Sequence, residues 1–297
     1  MGFELRPYLS AKGVPLQIPE PPQIHFPSPY ERPHTPLSFA QCIERPDGAF
    51  IATFGYNTES TAQTPILFLH GNGEDHEIFG PIIDACVEVG YPVYAPDSRA
   101  QGQSTRGTAK LTYEVMANDA IGVMEALDLK RCHLVGFSDG AIEALLIVSK
   151  HPELVASLTS IGANLTPEGV NNEGWDPQAT IQRLLDWAEW VENLPKDGAI
   201  DPTLMSPTAQ EARQQAELLN LMEIEPHIDP ESLKSISCPT TVMAGQYDVI
   251  KPEETKRIVG AISQAQLFIS EGHGHTLPKE APDDVIEVVL KTVKRML

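Results

Sequence analysis

Two hydrophobic rhythms alternate along the first half of the chain. Short apolar runs of strand length, PILFLHG (65–71), YPVYAPDS (91–98), RCHLVGF (131–137) and VASLTSIGAN (155–164), are separated by longer stretches. In those stretches apolar residues recur at about 3.6-residue spacing, the period of a helix with one buried face. EDHEIFGPIIDACVEVG (74–90) stops at Gly90, and LTYEVMANDAIGVMEALDL (111–129) sets Val115, Met116, Ile121, Met124 and Leu127 in helical register. DGAIEALLIVSKHPE (139–153) is the third such stretch. Strands alternating with helices predict an α/β fold with a mostly parallel, doubly wound sheet and helices on both faces.

The alternation stops at about Leu165. Residues 166–233 contain no strand pattern and hold two helical stretches, ATIQRLLDWAEWVENL (179–194) and SPTAQEARQQAELLNLMEI (206–224), separated by Pro195, Gly198 and Pro202. The alternation then resumes with CPTTVMAG (238–245), EETKRIVGAI (253–262), AQLFIS (265–270) and a closing helix over DDVIEVVLKTVKRML (283–297). An all-helical insert inside a β/α series predicts a cap over the sheet edge. Upstream, VPLQIPEPPQIHFPSPYERPHTP (14–36) is too rich in proline for helix and predicts an extended arm lying over the body. LSFAQCIERPDGAFIATFGYN (37–57) predicts a hairpin turning at Asp47-Gly48. The expected organisation is therefore an arm over 1–37, a core over 38–165 and 234–297, and a helical cap over 166–233.

Composition narrows the classes. With 297 residues, 41% hydrophobic and 21% charged, the chain is expected to fold around a sizeable core. Its formal net charge of −20 disfavours nucleic acid and anionic membrane surfaces as partners. Cys42, Cys86, Cys132 and Cys238 are scattered over predicted strands and helices with no C-x-x-C pair, so buried reduced thiols are expected and no metal site. The N-terminus has no apolar signal-type segment, and no run approaches the ~18 apolar residues of a membrane span. These features point to the cytoplasm; oligomeric state is not legible.

The candidate chemistry begins at GFSDG (136–140), which follows the apolar run RCHLVGF and opens a helix. A G-x-S-x-G match of five residues is weak by itself. Its strand–turn–helix context is what a nucleophilic serine needs, because such a turn lifts Ser138 to the carboxyl edge of the sheet. Close approach of strand and helix explains the glycines at 136 and 140. A base and an acid are then required. Asp248 follows the strand CPTTVMAG, and His273 and His275 follow AQLFIS, so nucleophile, acid and base appear in that order, each just past a strand. Asp248 also suits the N-cap of the helix beginning near Pro252.

Over residues 38 to the end the chain resembles the α/β-hydrolase fold superfamily. The resemblance rests on HGNG (70–73), DSRAQGQS (97–104), GFSDG (136–140), AGQYDVIKP (244–252) and GHGHTLPKEAP (272–282). One position departs from the family pattern: Ala100 stands where glycine is usual. The resemblance implies a triad of Ser138, Asp248 and His275; His275 is preferred to His273 because Glu280 and Pro282 follow it in the family's register. It also implies an oxyanion hole formed by the backbone N–H groups of Asp139 and Asn72. His70 is expected to brace its loop, and Glu74 and Asp75 to favour the start of the next helix. The Asp139 carboxylate is open to three roles: capping its helix, bonding a neighbouring loop, or meeting a cation on the substrate. Trp175, Trp187 and Trp190, with Leu184, Leu185, Leu194, Leu219 and Met222, either glue the insert together or line a substrate pocket.

What the resemblance implies is a serine hydrolase acting on a small ester, thioester or lactone as its small-molecule substrate, with no cofactor and no metal. A C–C bond hydrolase or a cofactor-free perhydrolase carries the same three residues. A ligand receptor on this fold is the reading from a different class; such receptors often lack a triad member, and none is missing here.

Overall fold

The structure, a computed structural model, describes residues 18–23, 30–194 and 200–295. Eight strands form one sheet: β1 (Leu37–Glu44), β2 (Phe50–Tyr56), β3 (Ile66–Leu69), β4 (Val93–Pro96), β5 (Cys132–Phe137), β6 (Val155–Ile161), β7 (Thr240–Gly245) and β8 (Ala265–Ser270). Their order is β1-β2-β4-β3-β5-β6-β7-β8. The β1–β2 hairpin turns at Asp47-Gly48 and lies antiparallel along β4; every pairing from β4 onward is parallel. The sheet is thus mostly parallel, and the carboxyl ends of β3, β5, β6, β7 and β8 share one edge.

Among the described residues eight α-helices accompany it: α1 (Gly80–Glu88), α2 (Tyr113–Ala126), α3 (Asp139–Lys150), α4 (Pro177–Glu192), α5 (Ala209–Ile224), α6 (Pro252–Ala261), α7 (Leu277–Glu280) and α8 (Pro282–Val293). Successive strand residues point to opposite faces, so each strand feeds two cores. Ala52 of β2 joins Phe68, Phe79, Ile82, Ile83, Val285, Val288 and Val289 in the core under α1 and α8. Its neighbour Ile51 packs with Ile43 and Val123 on the other face, against α2. β3 to β7 are buried on both faces, which is why their sequences read as continuous apolar runs rather than alternating ones.

Two compact units result. The sheet unit takes in residues 30–173 and 221–295. The helical unit takes in 174–220, with the described residues 18–23 grouped with it. The stretch after β6 stays with the sheet: Val170 forms an antiparallel bridge with Ile250, and Ile228 N donates to Leu165 O at 2.9 Å. Within the helical unit α4 is capped by Asp176, whose carboxylate accepts from Ala179 N. Its buried face, Ile181, Leu184, Trp187, Ala188 and Val191, repeats every three or four residues. The expected arm over 1–37 falls partly on residues outside those described. Residues 30–36 run without helix along the sheet unit, where His34 N and Thr35 N donate to the Asp84 carboxylate at 2.9 and 2.8 Å.

Two cysteines depart from expectation. Cys42 is exposed, because β1 is an edge strand, and Cys238 precedes β7 rather than lying within an element. All four are free thiols. Burial pushes the Cys86 and Cys132 thiols up to about 12, so they are inert packing groups. No helix of the described residues is long and apolar enough to cross a membrane.

His133 on β5 makes the fold acid-sensitive. It is buried with Nδ1 2.7 Å from Ser157 Oγ, and burial, aided by the Arg131 charge, lowers it from 6.5 to about 4. The folded state holds the ring neutral while the unfolded chain protonates it below 6.5, so unfolding takes up a proton between those values. His133 therefore contributes stability that is complete above pH 6.5 and is lost as pH falls through about 4. The full loss is about 3 kcal/mol. Urea unfolding at pH 7 and pH 4.5 checks this: the drop in stability is expected to shrink in His133→Gln, and an equal drop in both proteins contradicts it.

Candidate active site

The elbow at Ser138 is built from β5, which ends at Phe137, and α3, which begins at Asp139. Ser138 has φ 52° and ψ −118°, a backbone conformation strained for any residue with a side chain. It persists because the surroundings over-determine it. Ser138 N donates to Ile161 O at 2.8 Å, and Ala141 N and Ile142 N donate back to Ser138 O. The two flanking glycines let strand and helix touch: a Cβ at Gly136 would lie 2.6 Å from Ala141 Cα, and one at Gly140 would press into the Leu69 carbonyl. Ala100 is a second strained position, at φ +64°, where a glycine would sit without cost.

Two loops from neighbouring strand ends meet the serine. His275 Nε2 lies 3.0 Å from Ser138 Oγ, and His275 Nδ1 lies 2.6 Å from Asp248 Oδ1. A carboxylate only accepts, so Nδ1 carries the proton and Nε2 presents its lone pair to the serine hydroxyl. Asp248 is fixed in turn: its side chain is 2% exposed, Oδ1 accepts from Ile250 N at 2.8 Å and Oδ2 from Gly245 N at 3.3 Å. It does not cap α6, whose N-cap is Lys251. His273 belongs elsewhere. Its Nδ1 donates to Ser270 Oγ at 2.8 Å, and Ser270 donates to Asp284 Oδ2 at 2.5 Å. Gly162, closing β6 at φ +64°, makes room for the His275 ring, since a Cβ there would sit 2.8 Å from His275 Cε1.

The loop after β3 and the start of α3 border Ser138 on the side where the oxyanion donors Asn72 and Asp139 are expected. Asp139 occupies the first position of α3, where a backbone N–H has no intrahelical acceptor. His70 braces the loop: Nδ1 donates to Gly71 O at 2.8 Å and Nε2 accepts from Ser98 N at 2.8 Å. Gly73 N donates to Gln101 Oε1 at 2.7 Å. Asn72 Nδ2 donates to Asp139 Oδ2 at 3.1 Å, joining the loop to the elbow.

The Asp139 carboxylate is 2% exposed and its other oxygen accepts from Tyr113 Oη at 2.8 Å. Of the three roles open to it, bonding between neighbouring segments is the one its hydrogen bonds display: one oxygen accepts from Asn72 of the loop after β3 and the other from Tyr113 of α2. Burial raises the Asp139 pKa above the usual carboxylate value, opposed by the Tyr113 and Asn72 hydrogen bonds; burial, then the Asp139 charge, pushes the Tyr113 phenol well up and keeps it a donor. Tyr113→Phe removes one donor from this buried carboxylate. We expect a loss of about 1–3 kcal/mol in urea unfolding at neutral pH; an unchanged midpoint contradicts the assignment.

Glu74 and Asp75 divide their expected task. Asp75 caps the 3₁₀ turn at 76–79 by accepting from Glu77 N. Glu74 instead is buried and ion-paired to Lys279 Nζ at 2.7 Å. Among the described residues no cluster of His, Cys, Asp and Glu could hold a metal ion. In the helical unit Trp187 is buried, with Nε1 donating to Pro207 O at 2.7 Å and its ring 5.3 Å from that of Trp190. Trp175 is 42% exposed and donates to Thr180 Oγ1.

Tyr113, Gln101, Gly162 and Lys279 escaped the sequence reading. Gln101 lies inside the quoted DSRAQGQS stretch and Gly162 closes a strand, so both carried a local signal. Lys279 likewise lies inside the GHGHTLPKEAP stretch, whereas Tyr113 carried no signal, since its partner Asp139 lies on another element.

A family profile described as the alpha/beta hydrolase fold matches residues 64–182. A probable alcohol acetyltransferase of Cyberlindnera jadinii is 34% identical over 43% of this chain, and the match spans 35% of that relative, about a third of its length. A 2-hydroxy-6-oxononadienedioate/2-hydroxy-6-oxononatrienedioate hydrolase of a Pseudomonas species is 25% identical over 88% of this chain and 99% of its own. The solved structure of an esterase from Exiguobacterium antarcticum superimposes with a TM-score of 0.67 at 22% identity, over 86% of this chain and all of that one. The strand order, the profile over residues 64–182 and these relatives agree: the chain has the α/β-hydrolase fold and is similar to hydrolases over most of its length.

Proposed function

We propose that the protein is a serine hydrolase that cleaves a small carboxylic ester, thioester or lactone through an acyl-enzyme on Ser138. The observation that carries this reading is the pair of contacts on one imidazole, Asp248 at 2.6 Å on Nδ1 and Ser138 Oγ at 3.0 Å on Nε2. His275 Nε2 takes the hydroxyl proton as Ser138 Oγ bonds to the substrate carbonyl carbon. The Asp248 carboxylate stabilises the imidazolium that forms and keeps the ring oriented. The N–H groups of Asp139 and Asn72 receive the carbonyl oxygen as it gains negative charge. The imidazolium returns its proton to the leaving oxygen or sulfur as that bond breaks. Water then repeats the sequence on the acyl-enzyme and releases the acid.

A second reading is favoured by the near full-length similarity to the Pseudomonas dienedioate hydrolase, namely cleavage of a C–C bond in a vinylogous diketone by the same residues. One experiment addresses both. The protein is treated with a fluorophosphonate, the labelled peptide is identified, and turnover is measured on aryl esters and on vinylogous diketones. Labelling at Ser138 with faster ester turnover is the expected result. Faster diketone turnover selects the second reading, and absence of labelling at Ser138 overturns both.

A further inference from the structure

We propose that the buried Glu74–Lys279 ion pair is a positioning clamp that sets the distance between the loop bearing the oxyanion donor Asn72 and the loop bearing the base His275. The inference rests on the functional reading given above and adds two positioning residues to it. Glu74 lies two residues beyond Asn72, and Lys279 four residues beyond His275 in α7. Lys279 Nζ is 2.7 Å from Glu74 Oε1, with the two side chains 6% and 5% exposed. Tyr30 roofs the pair: its ring centroid is 4.9 Å from Nζ and its hydroxyl donates to Asp75 Oδ1 at 2.8 Å.

Three successive residues of the oxyanion loop are gripped by three different segments. Asn72 is held by Asp139 of the elbow, Gly73 by Gln101 of the loop after β4, and Glu74 by Lys279. The third grip reaches the loop of the base. There the adjacent residue, Glu280, accepts from Gly274 N at 2.7 Å and from Thr276 N at 3.2 Å, the N–H groups of the two residues on either side of His275. Helix α7 is therefore tied to His275 through Glu280 and to the oxyanion loop through Lys279. Burying an ion pair is a poor route to stability, because desolvation offsets the attraction. Position is what it supplies: a base and an oxyanion donor act on one carbonyl group, and displacements near 1 Å at such a site lower rates by about 100-fold.

The test is the full-length double variant Glu74→Gln/Lys279→Met, which leaves neither charge buried alone. Its unfolding midpoint is expected to stay near wild type. Its kcat on an aryl ester is expected to fall about tenfold or more with KM within about twofold, and the rate of fluorophosphonate labelling at Ser138 to fall in parallel. A folded double variant with wild-type kcat and labelling rate overturns the clamp. If the double variant does not fold, Lys279→Arg decides: it keeps the charge on a longer, planar head, so kcat is expected to fall several-fold at unchanged stability, and an unchanged kcat overturns the clamp. Failure of the wild type to label at Ser138 overturns the functional reading itself, so the two failures are told apart.

Discussion

Ser138→Ala is expected to lower ester turnover by about four orders of magnitude or more, with His275→Ala close to it and the double variant little worse than either. Nucleophile and base act on one proton, so removing either removes the same step. His273→Ala supplies the control. Its ring is bonded to Ser270, which in turn donates to Asp284, so turnover is expected to stay within a few-fold of wild type. Steady-state kinetics on an aryl ester, with circular dichroism to establish folding, checks all four variants. Full activity in Ser138→Ala removes the acyl-enzyme. Equal damage from His273→Ala and His275→Ala removes the assignment of the base.

Gly140→Ala is expected to cost about 3 kcal/mol or more of stability and to abolish labelling of Ser138 under conditions where the wild type labels fully. The new Cβ would press into the backbone of Leu69 and His70, which cannot swing aside as a side chain does. Relief requires β3 and α3 to part, which displaces the oxyanion loop and the elbow together. Gly260→Ala in α6 is the opposite case. Nothing lies within 4 Å of its Cβ, so the helix gains alanine's propensity and up to about 1 kcal/mol of stability. Urea unfolding of both variants measures the pair. A neutral Gly140→Ala contradicts the close approach at the elbow.

The elements were legible because their signals are local. Apolar runs buried on both faces gave the parallel strands, the 3.6-residue rhythm gave α2 and α8, and Asp47-Gly48 gave the hairpin turn. Ser138, Asp248 and His275 were legible for a related reason: in a parallel sheet, whatever follows a strand arrives at the same edge. The roles of single side chains were less legible. Glu74 looked like a helix-start acid because its sequence neighbours suggest it, yet its partner lies about two hundred residues away in α7. Asp139 admitted three roles until Tyr113 and Asn72 were seen to occupy its oxygens.

By itself the sequence determined the class of fold, the strand ends and the residue types delivered there, since hydrophobic period and turn chemistry act over a few neighbours. The register of Glu280 and Pro282 already favoured His275 over His273, although the two stand only two residues apart on one loop. Tertiary structure decided what each ring touches: His273 is bonded to Ser270, and His275 lies 3.0 Å from Ser138 Oγ. It also decided that Asp139 is a buried tie between segments and that Glu74 spans two loops. Such pairings depend on which strands lie side by side, and no spacing along the chain encodes a contact across it.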